Sequence, residues 1–199
     1  SAHPLDEFSI VLEHVCNTRM SELEDKAALA GREITMGGIV TSVRRGVSKN
    51  GNPYGIAKIE DYSGSTEIPF WGNDWVTYQG YLNEGTFLYI KARCQAKQWR
   101  QDELEVKITS MELLPDVKEE LVQKITIIIP LSVLNSGLIT ELATLTKEHP
   151  GNTELYFKVT DDTDSRMSVD LISRPVKLSV GRDLITYLKE RPELGFHIN

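Results

Sequence analysis

Residues 41–64 read TSVRRGVSKNGNPYGIAKIEDYSG. The stretch begins as a β-like run ending at Arg44 and Arg45 and crosses a polar segment with Gly46, Asn50, Gly51, Asn52 and Pro53. It returns as a second β-like run that closes on Glu60, Asp61 and a turn at Ser63-Gly64. Asn, Gly and Pro between two such runs are turn chemistry, so the stretch is a hairpin. Arg44, Arg45 and Lys49 gather around its glycine-rich tip with no acid among them.

Working outward, residues 32–43, REITMGGIVTSV, form the long first strand. Its alternation slips: Ile34 and Met36 share one parity, Ile39 and Val43 the other. The Gly37-Gly38 pair between them predicts a bulge that bends the strand. IAKIED (56–61), STEIPFW (65–71), FLYIKARC (87–94) and ELEVKITSMEL (103–113) supply four more strands. NDWVTYQGYLNEG (73–85) is a helix-like or irregular link between the third and fourth. A bent first strand, five strands and that insertion match the order of an OB fold; another small barrel or a sandwich fragment is the alternative.

The flanks differ. Residues 5–30 read as helical, with Phe8, Val11, Leu12 and Val15 at helical spacing and Ser21 with Glu24 as a possible capping box. Pro115 and the acidic DVKEE mark a boundary. Beyond it, KITIIIP (124–130) is a strand and LITELATLTKEH (138–149) an amphipathic helix. Pro150-Gly151-Asn152 reads as a turn, ELYFKV, MSVDLI and VKLSV as three short strands, and Arg182–Arg191 as a closing helix. The predicted fold class is therefore mainly β with α+β. A helical segment (1–30) precedes a five-stranded OB-fold barrel (31–115), and a small α+β domain (116–199) follows.

Composition excludes several classes. The 199 residues are 40% hydrophobic and 26% charged, ordinary for a globular chain. No apolar run approaches the ~20 residues of a membrane helix, and SAHPLDEFSI does not read as a signal peptide. Cys16 and Cys94 have no metal-ligand spacing and read as small buried hydrophobes in a reducing compartment. The net charge of −7 argues against indiscriminate coating of nucleic acid. Residues 31–115, however, carry 10 basic and 10 acidic side chains, against 10 and 13 in residues 116–199. Any nucleic-acid contact belongs to the neutral middle.

No catalytic signature is present: neither a phosphate-binding glycine loop, a nucleophile elbow nor a zinc-protease helix. The four histidines are scattered and read as surface or cap residues. Asp161, Asp162 and Asp164 read as a solvated turn. Catalytic residues, metal ligands and cofactors are accordingly predicted to be none. What remains is basic and aromatic. OB folds take nucleic acid across their second and third strands, between the first hairpin loop and the loop joining the last two strands. Here those loops carry Arg44, Arg45 and Lys49, and then Lys97, Trp99 and Arg100. Trp99 between two cations pairs a stacking face with phosphate attraction. Tyr54 and Lys58 share an outward parity on the second strand and extend the surface; Glu67 on the third weakens it. Trp71, Trp75, Tyr78 and Tyr81 read as packing around the insertion.

HPLDEF at residues 3–8, a helical spacer and ITMGGIVTSVRRGVSKNGNPYGIAKIEDYSGSTEIPFW at 34–71 together resemble the C-terminal part of the bacterial DNA polymerase III alpha subunit. Lys49-Asn50-Gly51, Ile59-Glu60-Asp61 and Ser63-Gly64 stand where that family has its hairpin tip and strand end. The likeness continues more weakly through HPGNTELYFKV (149–159) and the final helix. It implies a non-catalytic fragment of a bacterial cytoplasmic, nucleoid-associated protein whose full-length chain is a DNA-directed DNA polymerase. It further implies an OB domain that meets single-stranded template DNA and a terminal domain that docks the clamp-loader tau subunit among other replisome proteins, with no membrane partner. PELGFHIN at the C-terminus does not match a clamp-binding peptide. An OB domain used only for structure or protein contacts is the competing reading, and a nuclease or synthetase accessory domain a third.

Overall fold

The structure, a computed structural model, describes residues 3–97, 100–164 and 166–199. The chain divides into two compact units, residues 1–118 and 119–199.

The first unit opens with a 3-10 turn at Pro4–Phe8, helix α1 (Ser9–His14) and a second 3-10 turn at Met20–Glu24. Leu5, Phe8, Val11, Met20 and Leu23 are buried, so this segment is packed. The expected Ser21–Glu24 box does not form. Glu22 accepts instead from the Arg19 backbone N–H at 2.6 Å, and the Ser21 N–H donates to Ser63 Oγ at 3.1 Å.

Five strands follow: β1 (Glu33–Val47), β2 (Pro53–Asp61), β3 (Gly64–Trp71), β4 (Phe87–Lys97) and β5 (Arg100–Leu113). They pair antiparallel in the order β3-β2-β1-β4-β5, with β1 central. Ile34, Met36, Ala57, Ile59, Ile68, Phe70, Leu88, Ile90, Ala92, Ile108 and Met111 share one buried cluster, so the inner faces of all five strands meet in one core. A sheet can do that only by curling on itself.

The expected bulge is misplaced. Ile34, Met36 and Val40 are all buried, so the inward parity runs straight through Gly37 and Gly38; the register slips later, between Val40 and Ser42. The glycines serve close approach instead. A Cβ on Gly38 would lie 2.6 Å from the Glu60 carbonyl oxygen, and one on Gly37 would lie 2.6 Å from Leu12 Cδ2. The insertion between β3 and β4 holds α2 (Asn73–Tyr78), whose buried Trp75 lies where a Cβ on Gly55 would be, 2.0 Å away. Lys107 of β5 clamps that helix through Asp74, at 2.8 and 2.6 Å to its two oxygens.

Helix α3 (Leu114–Leu121) carries the boundary between the units, with Pro115 in its first turn, where proline sacrifices no hydrogen bond. The second unit comprises β6 (Lys124–Pro130), α4 (Ser136–Glu148), β7 (Pro150–Thr160), β8 (Ser168–Leu178), α5 (Arg182–Lys189) and β9 (Gly195–Ile198). The sheet order is β8-β7-β6-β9; β6 and β7 are parallel, which requires the α4 crossover between them. Asn135 caps α4, and Leu138, Leu142 and Leu145 bury its stripe as their spacing predicts.

Three expectations for this unit change. MSVDLI and VKLSV are one strand, β8: it is an edge strand, which tolerates Pro175. Pro150-Gly151-Asn152 starts β7 rather than turning, and the register shifts between Pro150 and Thr153, both opposite Leu178. GFHI, not assigned to a strand from the sequence, is β9 and pairs antiparallel with β6.

Candidate nucleic-acid interface

Alternation along β1, β2 and β3 turns one set of side chains outward, and the registers align that set in three rows. Ser42 faces Lys58, which faces Glu67; Arg44 faces Ile56, which faces Pro69; Gly46 faces Tyr54, which faces Trp71. Tyr54 and Lys58 therefore share one surface, as their parity predicts, and Arg44 of β1 joins them.

Its aromatic end is tightly built. The Tyr54 and Trp71 rings stack with centroids 4.4 Å apart and planes at 28°. A Cβ on Gly46 would meet the Tyr54 ring at 2.8 Å, so the ring lies across the bare backbone of β1. Trp71 nevertheless stays 52% exposed. This corrects the reading of Trp71 as packing around the insertion. Trp75 is buried, and Tyr78 and Tyr81 pack on the core, but Trp71 stands on the opposite face. The signal was present in the sequence: Ile68 and Phe70 point inward, so Trp71 must point outward with Glu67 and Pro69.

The hairpin tip is closed by its own backbone. Ser48 N–H donates to the Asn52 carbonyl at 2.8 Å and Gly51 N–H to the Ser48 carbonyl at 2.9 Å. Gly51 takes φ +81°, the left-handed region that favours glycine. Lys49 stands exposed on this turn, and neither it nor Lys58 has an ion-pair partner among the described residues.

The other cations are engaged. Arg44 reaches diagonally across β2 to Glu67 at 2.7 Å. With both side chains more than half exposed, such a pair is worth at most about 1 kcal/mol, which a phosphate can displace. Arg45 points the other way and donates to the Leu82 carbonyl at 3.0 Å and Asn83 Oδ1 at 3.2 Å. Where β4 and β5 meet, Lys97 faces Arg100. Both bind Glu103, Lys97 at 2.5 Å and Arg100 at 2.6 Å. Their hydrogen bonds, that of Lys97 foremost, hold the Glu103 carboxyl below the usual carboxylate range. Trp99 lies outside the described residues. Two groups result, one on the outer face of β1–β3 and one where β4 and β5 meet.

Other sequence features are structural. Asp61, in the Glu-Asp-Tyr-Ser-Gly run, accepts from Ser63 N–H and Oγ, from Gly64 N–H and, at 2.9 Å, from Met20 N–H. It ties the β2–β3 turn to the preceding 3-10 turn. In the His-Pro-Leu segment, His3 caps the first turn and packs at a tilt against Tyr62, with ring planes at 42°. Asp161, Asp162 and Asp164 are held by Thr163, Ser132 and Arg166 respectively. Among the described residues no group of three His, Cys, Asp or Glu is placed to hold a metal. Cys94 is buried; burial pushes the half-buried Cys16 thiol up to about 12, aided by the Asp61 charge, so neither is a poised nucleophile.

Comparison with known families separates the two units. Residues 34–114 match the OB-fold nucleic acid binding domain, and residues 125–199 match the C-terminal domain of the DNA polymerase III alpha subunit. The chain is similar to the C-terminal region of the DNA polymerase III alpha subunit. Three curated proteins of that name support the match. The one from Saccharopolyspora erythraea is 27% identical over 165 residues, 80% of this chain and 14% of the relative. That from Mycobacterium tuberculosis is 22% identical over 191 residues, 96% and 16% respectively. That from Pasteurella multocida is 24% identical over 153 residues, 77% and 13%. The chain thus spans no more than 16% of these relatives' length. Among solved structures, an asparaginyl-tRNA synthetase from Pyrococcus horikoshii aligns with TM-score 0.34 and 18% identity, covering 49% of this chain and 22% of that one. A mitochondrial single-stranded DNA binding protein from S. cerevisiae aligns with TM-score 0.31 and 17% identity, covering 42% and 96%.

No helix among the described residues is long and apolar enough to cross a membrane.

Proposed function

We propose that the chain is the DNA- and partner-binding end of a longer bacterial replicative DNA polymerase, cytoplasmic and nucleoid-associated, whose DNA-directed DNA polymerase activity resides outside these residues. In this reading the OB fold binds single-stranded template DNA. The supporting observation is the outer face of β1–β3, where Arg44, Tyr54 and Lys58 converge beside the exposed Lys49. Lys97 and Arg100 at the β4–β5 hairpin extend the contact, with Trp99 and Arg45 in supporting roles. Three to five phosphate contacts give a log–log salt slope of roughly −2 to −3.5, at about −0.7 per phosphate. Titrating labelled single strands and duplex at several salt concentrations tests this. A salt-independent interaction, or equal affinity in a variant lacking Arg44, Lys49, Lys58, Lys97 and Arg100, counts against it.

The finer reading of residues 119–199 is docking of the clamp-loader tau subunit. The edge strand β8 favours it: Met167, Val169, Leu171 and Ile172 stand exposed on and beside an unpaired strand edge, the usual form of a protein-docking surface. Leu171→Lys combined with Val169→Lys is expected to abolish tau binding and leave DNA binding intact; unchanged tau binding would reject this surface.

A competing reading, an OB module without DNA binding, draws on the ion pairs that occupy Arg44, Lys97 and Arg100. The same titration separates the two.

A further inference from the structure

We propose that the Trp71–Tyr54 stack is a subsite for one unpaired nucleobase of a bound single strand. The inference rests on the single-strand reading above and adds a residue and a contact to it.

Trp71 is held rather than merely exposed. Its ring stacks on Tyr54, and Tyr54 lies down on the bare backbone at Gly46. Any side chain at position 46 would lift the Tyr54 ring. A stacked pair could simply staple two strands together. That role is served by the contact between the two rings, and it leaves half of the Trp71 surface in water. Such an indole presents a flat, apolar face already fixed in orientation, which is what a base requires and what a flexible surface tryptophan lacks.

The surroundings select the ligand. One row along, about 7 Å away at two residues per row, Ile56 and Pro69 continue the apolar surface beside the Arg44 guanidinium. One row further stands Lys58, and Lys49 stands on the adjoining turn. Aromatic and apolar groups in the middle with cations around them suit a strand whose bases are splayed out and whose phosphates lie outside. A duplex hides its bases and could use only the cations. A proline-rich peptide would use the aromatic pair but would leave Lys49 and Lys58 without partners and Arg44 with Glu67.

The test uses the whole chain with a single-stranded oligonucleotide and its abasic counterpart, each titrated at several salt concentrations. Base stacking is expected to make the wild-type chain bind the abasic strand about 10-fold more weakly. Trp71→Leu is expected to weaken binding of the normal strand by about as much, with the salt slope unchanged, because a stacked base releases no counterion. It is expected to leave abasic binding as it is, and Trp71→Phe is expected to recover most of the loss. The abasic comparison needs no variant, so it stands even if Trp71→Leu fails to fold. Equal wild-type affinity for both strands, with the salt slope still near −2 or steeper, overturns the stacking subsite and leaves the single-strand reading standing. No binding of either strand, or competition by a proline-rich peptide in place of DNA, overturns both.

Discussion

In the first unit, sequence neighbours are mostly sheet neighbours: β1 pairs with β2, β2 with β3 and β4 with β5, all antiparallel. In the second, β6 pairs with β7 in parallel across a whole helix, and with β9 from the far end of the unit. The consequences differ. Antiparallel hairpins project their tips and turn a polar face to water, so the OB unit displays cations and aromatic rings. The mixed sheet buries Ile125, Ile127 and Ile129 on its central strand and leaves its apolar excess on the edge strand β8. One architecture displays cations and aromatic rings and the other an apolar edge; under the proposed function the first meets phosphate and base and the second a protein.

The largest expected effect tests whether the two units are separate in energy as well as in contacts. Phe70→Ala, in the fully buried core of the OB unit, should destabilise that unit by about 3–5 kcal/mol. Hydrogen exchange should accelerate throughout β1–β5 while β6 and β7 keep their protection. Equal acceleration in both units would merge them into one cooperative body.

A smaller effect is expected at the tip of the first hairpin. A Cβ on Gly51 meets nothing within 4 Å, so Gly51→Ala is opposed only by the backbone, which sits at φ +81°. The destabilisation should be about 1–2 kcal/mol, read as a lowered denaturant midpoint. Gly51→Asn should lose less, since asparagine tolerates that conformation. A neutral Gly51→Ala would show that the tip rearranges.

The smallest effect concerns the acids beside the cations. Glu67→Gln and Glu103→Gln should each strengthen single-strand binding about 2–5-fold, by releasing Arg44 or the Lys97–Arg100 pair from an exposed ion pair. The sign with pH follows from the Glu103 shift. Its carboxyl is held below the ordinary 4.5, so the charge, and the stabilising contact it makes, is complete above that value and is lost as pH falls through the lowered one. The advantage of Glu103→Gln should therefore be flat above pH 4.5 and shrink only below it. Weaker binding in either variant would mean that the acid positions the cation for its ligand.

Much of the OB unit is legible because its information is local. Alternation in Leu88, Ile90, Ala92 and Cys94, or in Ile68 and Phe70, fixes which face is buried, and Asn-Gly-Asn-Pro at 50–53 fixes where the chain reverses. The second unit is less legible: β9 has only four residues and owes its strand state to pairing with β6. The Pro175 break in β8 carries the wrong message unless its edge position is known. At the candidate site, the outward parity of Tyr54 and Lys58 could be read directly. The engagement of Arg44 by Glu67, 23 residues away, and of Arg45 by Leu82, 37 residues away, could not.

The sequence by itself determined the period of each strand, the hairpin at 47–53, the amphipathic stripe of α4 and the concentration of cations in two loops, because side-chain alternation and turn chemistry act between near neighbours. Only the tertiary structure decided that Gly37 and Gly38 serve close approach and not a bulge, that Trp71 stacks on the Tyr54 ring, and that Glu67 and Glu103 stand against the cations. Those outcomes depend on which strands lie side by side and in what register, and register is set by the curl of the whole sheet around its shared core.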